Sequence, residues 1–103
     1  MGIDSSLHSF TNKEINKAPL SDGVYGLFQG TTIIYYGRGE GPKGIRGRLE
    51  AHKAGYEGSC TMNADYFNYE ICSNPSNRER ELLQEYKNTQ GKLPRCNDLM
   101  SNV

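Results

Sequence analysis

At 103 residues the chain has room for one hydrophobic core and no second. No stretch approaches the roughly 18 apolar residues of a membrane helix, which excludes a helical membrane span. Twelve Lys and Arg balance twelve Asp and Glu, which argues against coating nucleic acid through bulk charge, so any nucleic-acid site must be local.

The first two dozen residues are polar, lack the basic and apolar regions of a signal peptide, and end in the turn-rich Pro19-Leu20-Ser21-Asp22-Gly23. They read as a lead-in, residues 1–22, with a short helix near 13–17, ahead of a single unit covering 23–103. Two runs rich in β-branched and aromatic residues, 24–29 and 32–36, flank Gly30-Thr31 and predict a hairpin. The Gly- and Pro-dense stretch 37–42 is loop, and a helix over 44–54 follows, closed by Gly55.

Residues 55–63 read as loop or a turn of helix, and 66–72 as a strand. Asn74-Pro75-Ser76-Asn77 caps a second helix over 77–89, with Leu82, Leu83 and Tyr86 on its inner face and Gly91 at its end. The tail 93–97 reads as irregular. The order β-β-α-β-α predicts an α+β fold: a small central antiparallel sheet of about three strands flanked by helices.

Cys60, Cys72 and Cys96 are odd in number and show no CxxC spacing. Neither a disulfide framework nor a zinc site is expected, which points to the cytoplasm.

On a helical wheel, Ile45 and Leu49 lie about 40° apart, and His52 and Arg48 fall about 20° and 60° to the other side of Ile45. Arg48 and His52 therefore sit at the edge of the buried face, where a solubilising charge is wasted, and Arg46 lies on the opposite flank. In the hairpin, a three-residue loop sets Tyr25 opposite Tyr35, and a two-residue turn sets it opposite Tyr36. Either register puts two phenols on one sheet face beside the arginine-bearing helix. The glycines of GRGEGPKG match no phosphate-loop pattern, which leaves Arg38 as that loop's contributor to a site.

The ordered set GVY, YYG, IRGRLEAH, RERELLQEY and PRCN resembles the GIY-YIG nuclease family over residues 23–97. By position, Tyr25 and Tyr35 are the tyrosines of the two strings, Arg48 the family's arginine, and His52 the histidine one turn on. Arg38 falls on the basic position after the second string, and Asn97 on the asparagine near the domain's end. About three extra residues, the GEGP region, lengthen the loop before Arg48. Two glutamates compete for the carboxylate position: Glu79 has the apolar pair three and four residues on, and Glu85 better fits the short spacing to Pro94 and Asn97.

The resemblance implies a metal-dependent endonuclease that hydrolyses DNA phosphodiester bonds with one Mg²⁺ or Mn²⁺. Tyr25, Tyr35, Arg48, His52 and Glu79 are the implied catalytic set, and Arg38, Arg46 and Asn97 the substrate-binding set. Glu79, or alternatively Glu85, would bind the metal. Tyr25 or Tyr35 is expected to act as general base, its phenol lowered by Arg48, Arg38 or the metal, with His52 relaying the proton or orienting a phenol. DNA is the expected partner, a protein partner or homodimer is a further expectation for targeting, and no membrane is involved. The alternative is a non-catalytic nucleic-acid- or protein-binding module of the same fold.

Overall fold

A computed structural model describes residues 6–101, with side chains to Asp98. The outer ends of the expected lead-in and catalytic unit, 1–5 and 102–103, lie outside the described residues. The elements are β1 (His8–Ser9), α1 (Asn12–Ile15), β2 (Gly23–Gln29), β3 (Thr32–Gly39), α2 (Gly44–Lys53), α3 (Ser59–Met62), β4 (Tyr66–Ile71), α4 (Pro75–Gln90) and α5 (Arg95–Ser101). The four strands form an antiparallel sheet in the order β1-β4-β2-β3.

The α+β class and the three main strands are as expected, and the sheet gains one strand from an unexpected place. His8 pairs with Phe67 and Ser9 with Tyr66, so the lead-in supplies an edge strand. Its Phe10, Ile15 and Ala18 are buried in the core. The same segment starts α2. Lys43 offers no side-chain cap, and the first N–H groups of the helix, from Ile45 and Arg46, donate to the carbonyls of Ser21 and Pro19, both at 3.0 Å. Residues 6–22 thus belong to the same folded body as the rest.

The hairpin register differs from both expectations. The Gly30-Thr31 turn pairs Gln29 with Thr32 and Phe28 with Ile33, but a bulge then shifts the ladder so that Leu27 faces Tyr35 and Tyr25 faces Gly37. Tyr25 and Tyr35 are therefore diagonal neighbours on one face, with ring centroids 6.2 Å apart. Gly37 makes this possible: a Cβ there would stand 2.5 Å from the Tyr25 hydroxyl and 2.7 Å from the Tyr35 ring.

Strand alternation divides the structure into layers. Tyr25, Leu27, Tyr35 and Phe67 face the main core with Ile45 and Leu49 of α2. Tyr36 and Arg38 face the other way, toward α4, which packs on β3 and β2 through Leu82. Asn74 caps α4 by accepting from the Asn77 N–H, Pro75 occupies its first turn, and Gly91 ends it at φ 78°. Leu83 and Tyr86 are only half-buried. The tail expected to be irregular is helical, as α5.

Cys60 of α3 and the buried Cys96 of α5 form a disulfide, which corrects the expectation of unpaired cysteines. Odd cysteine number did not exclude a pair, because Cys72 is the one left over. The ground for expecting a cytoplasmic location falls with that correction; among the described residues, no helix is long and apolar enough to cross a membrane. The bond closes a loop across 36 positions, worth about 3–4 kcal/mol in the chain-entropy account. The Cys60→Ser/Cys96→Ser double variant is accordingly expected to lose ~3 kcal/mol in urea denaturation. Reductant should shift the wild-type curve toward the variant's and leave the variant unmoved.

Candidate active site

The centre of the site is a buried hydrogen-bonded run. The Tyr25 hydroxyl lies 2.7 Å from His52 Nε2, and His52 Nδ1 lies 2.7 Å from Thr61 Oγ1. All three side chains are fully enclosed. His52 is thus a core residue rather than an edge residue, and Tyr25 and Tyr35 pack edge-on against its ring at centroid distances of 5.5 and 4.9 Å. A polar group so placed is tolerable only when bonded, and each ring nitrogen has a partner.

The electrostatics fix the protonation states. Burial, then the Arg48 charge, pushes His52 down to about 3, so the imidazole is neutral at ordinary pH. Burial and the neighbouring Tyr35 push the Tyr25 phenol up, and the Arg48 guanidinium beside it offsets only part of that. Tyr35 is also raised, by burial first, with Arg48 lowering it and Glu79 raising it. The expectation that nearby cations would lower the phenols is therefore corrected: desolvation wins at both.

A direction follows for the hydrogen bonds. The Arg48 cation draws the lone pairs of the Tyr25 oxygen toward itself, which leaves the phenolic O–H pointing at His52 Nε2. Nε2 then accepts, so the single proton of the neutral imidazole is on Nδ1 and is donated to Thr61 Oγ1.

Arg48 stands between this buried run and solvent. Its Nη2 pairs with Glu57 at 3.4 Å, and its Nε is buried with no partner among the described residues. It lines a cleft of about 340 Å³ with Arg38, Glu40 and Glu79. Three elements meet there at the edge of β3. Arg48 comes from α2 on one sheet face, Glu79 from α4 on the other, and Arg38 from β3 itself. Arg38 Nη1 donates to Glu79 at 2.7 Å and its Nε to Glu40 at 3.2 Å.

The remaining expected site residues separate. Glu85 is exposed on another flank of α4, where it lines a different depression with Asn77 and Glu81. Arg46 does not reach the cleft, since its Nε donates to the Ala18 carbonyl at 2.7 Å and holds the N-terminal segment to α2. Asn97 is not free to bind a substrate. Its Oδ1 accepts from the Tyr36 N–H at 2.8 Å and its Nδ2 donates to the Tyr36 carbonyl at 2.9 Å, so it braces the outer edge of β3.

Sequence reading missed Thr61, Glu57 and Glu40. Nothing in a lone threonine within a Gly- and Ser-containing stretch signals a histidine partner, whereas Glu40 stood in the lengthened loop and was passed over as loop geometry. Thr61 and Asn97 each follow a bonded cysteine, so one disulfide joins the segment that holds His52 to the segment that holds β3.

Comparison with protein-family models and with curated proteins gave no match.

Burying a neutral histidine makes stability depend on pH. The unfolded chain takes up a proton below about 6.5 and the folded chain does not until about 3, so this contribution is intact above 6.5 and is lost as pH falls. Between pH 6.5 and 4.5 the wild type is expected to lose up to ~1.4 kcal/mol per pH unit more than His52→Gln, measured as the difference between two urea-denaturation series. Equal slopes would mean that His52 titrates normally in the fold.

Proposed function

We propose that the chain is a metal-dependent endonuclease of GIY-YIG type that hydrolyses DNA phosphodiester bonds. The observation that carries this reading is Arg48: a guanidinium that opens on a cleft also holding Glu79, with two neutral phenols behind it. A guanidinium at the mouth of a cleft favours an anion, and a phosphodiester gains charge on its non-bridging oxygens as it is attacked.

The donor set fits a divalent cation. Glu79 and Glu40 both bond the Arg38 guanidinium, so Arg38 occupies the place between two carboxylates that a cation would take. Mg²⁺ accepts one or two carboxylates and completes its shell with water and a phosphate oxygen. Glu79 would be the principal ligand, and a bound cation would polarise the phosphate and acidify a water. Arg38, displaced from Glu79, becomes available to a neighbouring phosphate.

The protein's own groups divide the remaining work. Tyr25 is fully enclosed and held protonated, which makes it a fixed hydrogen-bonding post rather than a base. Tyr35 lies nearer the cleft and feels Glu79, so offsetting the Glu79 charge removes one cause of its raised pKa. Tyr35 is thus the better proton acceptor of the two. His52, neutral and bonded at both nitrogens, orients Tyr25 through Nε2.

The Arg38–Glu79 pair favours a second reading, because it occupies the carboxylate a metal would need. In that reading the domain is a non-catalytic nucleic-acid-binding module. Plasmid nicking separates the two. The wild type is expected to nick supercoiled DNA with Mg²⁺ or Mn²⁺ and to stop under chelator. Arg48→Ala and Glu79→Gln are expected to fall at least ~100-fold while keeping the wild-type circular dichroism spectrum. Oligonucleotide binding without any metal-dependent nicking would support the module instead.

A further inference from the structure

The Arg38–Glu79 pair divides two adjoining depressions. One is the cleft with Arg48; the other, of about 390 Å³, runs along the outer face of α4. Ser76, Arg80, Gln84 and Lys87 line this second depression, and on a helical wheel they fall within an arc of about 80°. Leu83 and Leu93, both half-buried, also line it.

Two of its lining residues, Arg80 and Lys87, are cations. Arg38 and Arg48 beside them are ion-paired, whereas Arg80 and Lys87, like Lys13, Arg46, Lys53, Lys92 and Arg95, form no salt bridge among the described residues. Arg80 bonds only the neutral Asn77 side chain. Of the acidic residues of the same helix, Glu79 borders the depression paired with Arg38, Glu81 pairs with Arg78, and Glu81 and Glu85 line a neighbouring depression that Arg80 and Gln84 also border. Two cations without a salt bridge thus lie on one stripe of α4, next to the cleft that holds Arg48.

We infer that this face of α4 is the track for the nucleic-acid strand flanking the phosphate at Arg48, with Arg80 and Lys87 each taking a backbone phosphate. The inference rests on the nuclease reading above and names how that site holds its substrate. Arg80 and Lys87 are about 10 Å apart along the helix, the rise of about three nucleotides in a stacked strand at ~3.4 Å each. Arg38, at the junction, would hand the strand from one depression to the other once released from Glu79. The Leu83 and Leu93 side chains give sugar and base edges an apolar floor, while Ser76 and Gln84 offer hydrogen bonds that discriminate little among sequences. An acidic peptide is the less favoured occupant, because it has no use for continuity with the Arg48 cleft.

The test is fluorescence anisotropy of a labelled single-stranded oligonucleotide, and of its duplex, under chelator and across a salt series. Arg80→Gln/Lys87→Gln is expected to weaken binding about tenfold or more and to flatten the slope of log K against log salt by about 1.4–1.8, two phosphate contacts' worth. Lys13→Gln/Lys17→Gln, which removes the same charge from the opposite side of the sheet, is expected to change the slope by well under one contact. An unchanged slope in the Arg80/Lys87 variant, equal slope changes in both variants, or no nucleic-acid binding by the wild type would each overturn the track. So would polyglutamate displacing the oligonucleotide as well as unlabelled DNA does, which would assign the depression to an acidic peptide. The assay involves no turnover. A slope effect without nicking overturns the nuclease reading alone, and nicking without a slope effect overturns the track alone.

Discussion

An imidazole enclosed in an apolar core, bonded at both nitrogens, is the constraint on which the site depends. His52 is tolerable there only as a neutral ring whose donor and acceptor are both used. That requirement ties together three elements: Tyr25 in the central strand, His52 near the end of α2, and Thr61 in α3. The disulfide extends the tie to α5, whose Asn97 fastens β3 from the outside. Arg48 then lies over a platform that cannot easily shift.

The edge position of β3 explains how the cleft forms. An edge strand can be approached from both faces, so α2 and α4, on opposite sides of the sheet, bring Arg48 and Glu79 around it to one place. β3 presents Tyr35 to one layer and Arg38 to the other. Arg38 pairs with both Glu79 and Glu40, which links two carboxylates through one guanidinium. These exposed pairs add little stability, and their consequence is positional, since they hold both carboxylates at the cleft.

Local pattern made most of the elements legible. Alternation and turn residues marked the hairpin, Asn74-Pro75 and Gly91 bounded α4, and the rotation of α2 put His52 and Arg48 toward the core. What local pattern cannot carry is the effect of one added residue or one distant partner. The bulge before Tyr35 shifts the register by a residue, which no turn count foretells, and the result is a diagonal pair of tyrosines instead of an opposed one. His8-Ser9 looks like a polar lead-in because an edge strand of two residues has no period to read. Cys60 and Cys96 lie 36 positions apart, so their pairing is a property of the fold. The preference for Glu79 over Glu85 rests on the apolar pair Leu82 and Leu83 that follows it, whereas it is helix rotation that sets Glu79 beside Arg38 and Arg48 and Glu85 on another flank of α4. The phenols were misjudged for a different reason: charge is visible in a sequence, and desolvation is not.

The central claim is that His52 is a neutral imidazole carrying its proton on Nδ1, accepting from Tyr25 at Nε2 and donating to Thr61. Nitrogen-15 NMR of the His52 side chain at neutral pH tests it most directly. The expected result is a protonated, pyrrole-like Nδ1 and a pyridine-like Nε2, with the Nε2 signal shifted by Tyr25→Phe and the Nδ1 signal shifted by Thr61→Val. A doubly protonated ring, or a proton on Nε2 in the wild type, would contradict the account.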